Sequence, residues 1–126
     1  MKYIILVPIY NDRESLKKLI ENINNEIKDL SEEISLIVVN DASSEQIVDV
    51  YSNTENIKNI EIINMKQNRG HTRCIASGLK YIFENKEFDY IIPMDGDGED
   101  RPEEIKNFVT LSSQANGKSI VGERIK

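Results

Sequence analysis

The sequence predicts an α/β fold: a mainly parallel sheet with helices on both faces. Short apolar runs rich in Ile and Val recur at residues 3–9, 34–39, 60–64 and 88–94. Between them lie longer stretches in which apolar residues return at helical spacing, and a polar cluster follows the end of each run directly. A strand buried on both faces reads as a continuous apolar run. Alternation of such runs with helices implies crossover connections and one parallel sheet.

The elements follow in order. "YIILVPI" at 3–9 is the first strand, and "YNDRES" after it offers a helix cap. Leu16, Leu19, Ile20, Ile23, Ile27 and Leu30 then mark one helical face. "ISLIVV" at 34–39 is a second buried strand, and "ASSEQIVDVYSN" predicts a short helix. "IEIIN" at 60–64 is a third strand, "NRGHT" a turn, and Ile75, Ala76, Leu79, Ile82 and Phe83 mark a helix running to about residue 86. "FDYIIPM" is a fourth strand ending at Asp95. Pro102 suits the first turn of a further helix, with Ile105, Phe108, Val109 and Leu111 expected on its inner face. "SIVG" near the end predicts a fifth, short strand.

Composition narrows the function. A length of 126 residues, 39% hydrophobic and 30% charged, fits one globular domain able to bury a core without staples. The net charge of −6 disfavours non-specific nucleic-acid binding, which needs a basic footprint, so no nucleic-acid partner is expected. Cys74 is the single cysteine, which excludes an internal disulfide and argues against a zinc cluster. A reducing, cytoplasmic setting is the expectation. No apolar run reaches the length of a membrane span, and "MKYIILVPIY" lacks a signal-peptide core and cleavage site.

In a parallel sheet ligands bind beyond the carboxyl ends of the strands. The polar clusters fall at those ends: Tyr10-Asn11-Asp12, Asn40-Asp41, Asn68-Arg69-Gly70, and Asp95 to Asp100. Loops far apart in sequence should therefore share one edge. Asp95-Gly96-Asp97 places two carboxylates one residue apart where a buried strand meets a loop. Such a pair can turn toward one hard cation, Mg²⁺ or Mn²⁺, with Glu99 adding a further oxygen. Gly96 and Gly98 allow tight bends and close ligand approach. The plain alternative is a solvated acidic turn, which the placement at a strand end disfavours. An EF-hand loop fails in detail: counted from Asp95, the sixth residue is Asp100 rather than Gly and the twelfth is Lys106 rather than Glu.

Asn11 and Asp41 suit turn and cap chemistry, or a nucleotide pocket in which backbone near Pro8 and Tyr10 and the Asp41 carboxylate meet a base or ribose. Glu14, in the first helical turn, can do the same or help cap the helix. Gly70 offers a tight turn, and Arg73 at a helix start can meet ribose or phosphate. His71 stands alone as a histidine, which excludes a His-based metal site, and Cys74 reads as packing. Neither a P-loop nor a G-x-G-x-x-G motif after the first strand is present.

Together these motifs resemble the family 2 glycosyltransferases of the GT-A fold, over essentially the whole chain. The residues that carry the resemblance are "VPIYNDRESL", "IVVNDASSE", "NRGHTRCIASGL", "YIIPMDGDGEDRPEEI" and "IVGERIK". "MDGDGEDRPE" is similar to the family's aspartate-any-aspartate (DXD) signature. The nearest branch resembles the polyprenyl- or dolichol-phosphate sugar transferases. The resemblance implies a Rossmann-like GT-A fold and metal-dependent transfer of a sugar from a nucleotide diphospho-sugar, with inversion. It also implies a sugar, glycan or lipid-phosphate acceptor. By position, Pro8, Tyr10, Asn11, Glu14, Asp41, Gly70, Arg73, Asp95 and Gly96 would line or border the donor pocket. Asp97 would be the main metal ligand and catalytic through it, with Asp95 and Glu99 as further ligands. Asn40 departs from the second acid common at its position, and Gly96 and Gly98 replace bulkier residues.

The resemblance further implies that residues 1–126 form a single donor-binding domain, truncated on the C-terminal side. The acceptor-binding half and the general base would then lie outside it. A longer relative would work at the inner face of the membrane. An open edge where that half packs would favour a homo-oligomer. The rival readings are a non-catalytic binding module with the same fold, a receiver-like signalling domain, and a nucleotidyltransferase. The third strand ends in Asn64-Met65 without the Asp a receiver needs, and no basic glycine-rich loop follows the first strand as a nucleotidyltransferase needs.

Overall fold

The apolar run at the amino terminus becomes the middle of the sheet. The computed structural model describes residues 1–42, 54–94 and 103–114. Strand β1 spans Lys2–Ile9 and is buried from Tyr3 onward. It pairs in parallel with β2 (Glu33–Asn40) on one side and with β4 (Tyr90–Pro93) on the other. Strand β3 (Ile60–Asn64) pairs in parallel with β2, so the order is β3-β2-β1-β4. The fully parallel sheet agrees with the sequence expectation. The expected short helix within 42–53 and the expected strand at "SIVG" lie outside the described residues.

Both strand prolines sit where a missing N–H does no harm. Leu6 O accepts the Met94 N–H at 2.9 Å, so Leu6 faces β4, and so does Pro8 two residues on. The β1–β4 pairing ends at Leu6↔Pro93, so Pro8 points past the end of that ladder. Because the Met94 N–H faces β1, the nitrogen of Pro93 faces outward, as an edge strand allows.

Helices cover both faces. Helix α1 (Arg13–Glu26) and α3 (Glu103–Gln114) lie on one face, with Leu16, Ile20, Ile23, Ile105 and Val109 buried against Ile5, Val7, Leu36 and Val38. Helix α2 (His71–Asn85) lies on the other, with Cys74 and Ile82 against Ile4, Leu6, Ile37 and Val39. Each fully buried aliphatic side chain contributes about 1.5–3 kcal/mol relative to exposure.

Two details depart from the periodicity. The apolar face of α1 runs to Leu30, yet the helix ends at Glu26. The Asn24 carbonyl, which the next helical turn would use, instead accepts Asn56 Nδ2 at 3.0 Å. Asn24 Oδ1 accepts the Asn56 N–H at 2.8 Å. Ile27 is still buried, and Leu30 packs on the same core from the turn. Leu111 is not on the inner face of α3 but 57% exposed. Ser112 takes the inner position, in register with Ile105, Phe108 and Val109 at about 100° per residue.

Candidate functional site

The strand ends gather the polar clusters at one edge. Ile9 is level with Asn40, and Asn40 with Asn64. Each exit is pinned to its neighbour: the Asp41 N–H donates to Ile9 O and the Met65 N–H to Asn40 O, both at 2.9 Å. Met94 leaves β4 beside Leu6 in the same way. Asn40 Nδ2 donates to Asn64 Oδ1 at 3.0 Å, tying the side chains across this edge as well.

The loops leaving this edge are bent hard. Asn11, after β1, has φ 49°, and Ala42, after β2, has φ 56°. Gly70, between β3 and α2, has φ 87°. A Cβ at Gly70 would meet nothing within 4 Å, so the backbone conformation rather than space requires glycine there. Left-handed conformations cost a non-glycine residue about 1–2 kcal/mol and concentrate at functional edges.

Asp41 is held by two main-chain hydrogen bonds. Its Oδ1 accepts the Arg69 N–H at 2.7 Å and its Oδ2 the Gly70 N–H at 2.9 Å. The side chain of Cys74 adds to the electrostatic stabilisation of this carboxylate. Asp41 is only 4% exposed. Burial pushes its carboxyl up, but these hydrogen bonds outweigh that and leave it below the usual value of 3.8. Burial first, and then the bond to Asp41, push the Cys74 thiol up to about 12.

The other expected residues surround this point. Pro8 is buried at the end of β1, and Tyr10 beyond it is 53% exposed. Asp12 caps α1, its Oδ1 accepting the Ser15 N–H at 3.4 Å, which brings Glu14 into the first turn. Glu14 is exposed and lies 3.7 Å from Arg13 Nη1. Arg73 is exposed on the first turn of α2. Asp95, Gly96, Asp97 and Glu99 lie outside the described residues. Among the described residues no group of three or more His, Cys, Asp or Glu side chains could hold a metal, and no helix is long and apolar enough to cross a membrane.

A cavity of about 460 Å³ lies at the opposite, amino edge, lined among others by Lys2, Ser35, Lys58, Glu61 and Lys86. Its charges neutralise one another: Lys2 Nζ is 3.2 Å from Glu87 and Lys86 Nζ 2.9 Å from Glu61. The carboxyl edge, with its constrained loops and buried carboxylate, is the better candidate site.

Comparison with known proteins identifies the family. The family model described as Glycosyl transferase family 2 matches residues 4–126. The chain belongs to glycosyltransferase family 2. This family 2 chain is 32% identical over 125 residues to the undecaprenyl-phosphate 4-deoxy-4-formamido-L-arabinose transferase of Proteus mirabilis, covering 98% of the chain and 36% of that protein. It is 34% identical over 127 residues to the enzyme of the same name from Photorhabdus laumondii, covering 98% of the chain and 37% of that protein. The chain thus spans little more than a third of the length of these relatives. Among solved structures, S. aureus TarS 1-349 superposes with a TM-score of 0.67 at 22% identity, over 92% of this chain and 33% of that one. TarS 1-349 in complex with UDP-GlcNAc gives 0.63 at 20% identity, over 92% of this chain and 32% of that one. The fold is that of the GT-A glycosyltransferases.

Two features of the edge have no signature in the sequence. One is the Asn40–Asn64 side-chain bond, whose partners are set by strand register. The other is the pair of main-chain bonds from Arg69 and Gly70 to Asp41, since nothing in the spacing of 41 and 69–70 links them.

Proposed function

We propose that this family 2 chain is the donor-binding part of a glycosyltransferase that transfers a sugar from a nucleotide diphospho-sugar to a polyprenyl phosphate, with inversion and with a divalent metal. Family membership across residues 4–126 carries the reading. The polyprenyl-phosphate acceptor is supported by the names of the Proteus and Photorhabdus relatives. A uridine donor is supported by the fold-level likeness to TarS, which has been solved with UDP and with UDP-GlcNAc.

In this reading the base and ribose lie against the loops after β1 and β2. Pro8 and Tyr10 offer backbone groups, Asn11 and Glu14 flank them, and Asp41 and Gly70 form the floor. Arg73 faces the ribose or phosphates from the first turn of α2, where the helix dipole also favours anions. Asp95, Asp97 and Glu99 would hold Mg²⁺ or Mn²⁺, for which an all-carboxylate donor set is suited. When bound, the ion supplies neutralisation of the departing diphosphate. The acceptor site and the general base belong to the further length that the relatives have.

The test is calorimetric titration of UDP-, GDP- and CDP-sugars, with Mn²⁺ and with chelator, into the wild type and Asp97→Ala. One nucleotide should bind with metal, and binding should fall in the variant. Absence of binding by every donor in a folded chain would overturn the reading in favour of a non-catalytic module with this fold.

A further inference from the structure

The loop from Lys66 to Arg69 has exposed side chains throughout and so brings little packing of its own. Its position rests on hydrogen bonds, and the strongest fixed acceptor is Asp41. The Asp41 carboxylate takes two consecutive main-chain N–H groups, Arg69 at 2.7 Å and Gly70 at 2.9 Å. Gly70 O in turn accepts the Cys74 N–H at 3.1 Å, the first hydrogen bond of α2. The Cys74 side chain is packed in the core under the same turn. Both side chains are shielded, Asp41 at 4% and Cys74 at 0% exposure, so water competes poorly for these bonds.

We propose that the Asp41 carboxylate is a clasp that positions the amino end of α2, and with it Arg73, for the donor. The clasp joins the end of β2 to the start of a helix on the far face of the sheet, across 29 residues of sequence. Asp41 is therefore a positioning residue, whatever direct contact it also makes with a nucleoside. The two N–H bonds hold the carboxylate turned toward Arg69 and Gly70. A carboxylate held by two main-chain donors keeps one orientation at no further entropic cost when the donor arrives. The effect on donor affinity rests on the donor-site reading above; the clasp itself does not.

The experiment separates the two. Amide hydrogen exchange is measured by NMR without any donor on the wild type, Asp41→Ala and Asp41→Asn, and each protein is then titrated with the UDP-sugar and Mn²⁺. The wild type should protect the Arg69 and Gly70 amides. Asp41→Ala should lose that protection while the amides of β1 and β2 keep theirs, and should bind donor about tenfold more weakly or worse. Asp41→Asn, which keeps one acceptor oxygen in place of two, should lose part of the protection and affinity. Unprotected Arg69 and Gly70 amides in the wild type would overturn the clasp. So would full protection of both amides in Asp41→Asn, even if Asp41→Ala fails to fold. Weakened donor binding in Asp41→Ala with both amides still protected would show direct contact instead. A wild type that protects these amides and binds no donor would leave the clasp standing and overturn the donor-site reading together with the effect on affinity.

Discussion

Gly78 of α2 lies directly on Leu6 of β1: a Cβ at Gly78 would stand 2.5 Å from Leu6 Cδ1 and 3.0 Å from Val39 Cγ2. This contact brings α2 down onto the two central strands. Leu6 and Val39 are both fully buried, so any shift of their methyl groups must be taken up by the packed core around them. Overpacking costs about 1–3 kcal/mol, while alanine gains about 1 kcal/mol of helix propensity over glycine. Gly78→Ala should therefore lose about 1 kcal/mol and Gly78→Val about 3 kcal/mol, read from urea unfolding midpoints. A stabilised Gly78→Ala would contradict the close approach.

The thiol of Cys74 should be unreactive and pH-sensitive only in alkali. Burial and the bond to Asp41 raise it from the usual 9.0 to about 12 in the folded chain. A group raised on folding contributes stability below its unfolded value, and that contribution is lost as pH rises toward the folded one. The stability difference between the wild type and Cys74→Ala should thus narrow from pH 9 to about 12. Iodoacetamide should label the native protein far more slowly than the urea-unfolded one. Fast native labelling at neutral pH would contradict this.

Asp41 has the opposite sign. Its folded value lies below 3.8, so its contribution is complete above 3.8 and is lost as pH falls through the lower folded value. The stability gap between the wild type and Asp41→Asn should be flat between about pH 5 and 8 and close in stronger acid. A gap that closes between about pH 5 and 8 would be inconsistent with a carboxylate held by main-chain N–H donors.

Ala42 carries a left-handed φ of 56° immediately after Asp41. Glycine there should remove strain, and Ala42→Gly should stabilise by about 0.5–1 kcal/mol net of the greater freedom glycine has when unfolded. Thermal melts of the two proteins decide it. Destabilisation would mean that the β2 exit is not strained.

On the α3 face, the Tyr3 hydroxyl bonds the buried Ser112 hydroxyl, and its ring stacks on Tyr90 at 5.4 Å. Tyr3→Phe keeps the stacking and removes the hydroxyl, and should cost about 1 kcal/mol in chemical denaturation. No loss would imply that Ser112 is satisfied by the α3 carbonyls of Phe108 and Val109 alone.

The sheet was legible because its strands are buried on both faces, so "YIILVPI" and "ISLIVV" could only be interior strands. Parallel pairing then places Tyr10, Asp41 and Gly70 at one edge from the sequence alone. The end of α1 was not legible, because Asn56, remote in sequence, takes the Asn24 carbonyl. Leu111 was misplaced because apolar character alone outran the helical phase that gives Ser112 the inner position. At the candidate site, residue types pointed to Asp41 and Arg73, but chemistry made through the main chain of Arg69 and Gly70 leaves no mark on side-chain patterns.

The central claim, that a nucleotide diphospho-sugar binds at the carboxyl edge of the sheet, is tested most directly by NMR chemical-shift mapping with UDP-GlcNAc and Mg²⁺. The account predicts shifts concentrated at the amides of Tyr10, Asn11, Asp41, Gly70 and Arg73. Shifts centred instead on Lys2, Ser35, Lys58 and Lys86, around the amino-edge cavity, would contradict it.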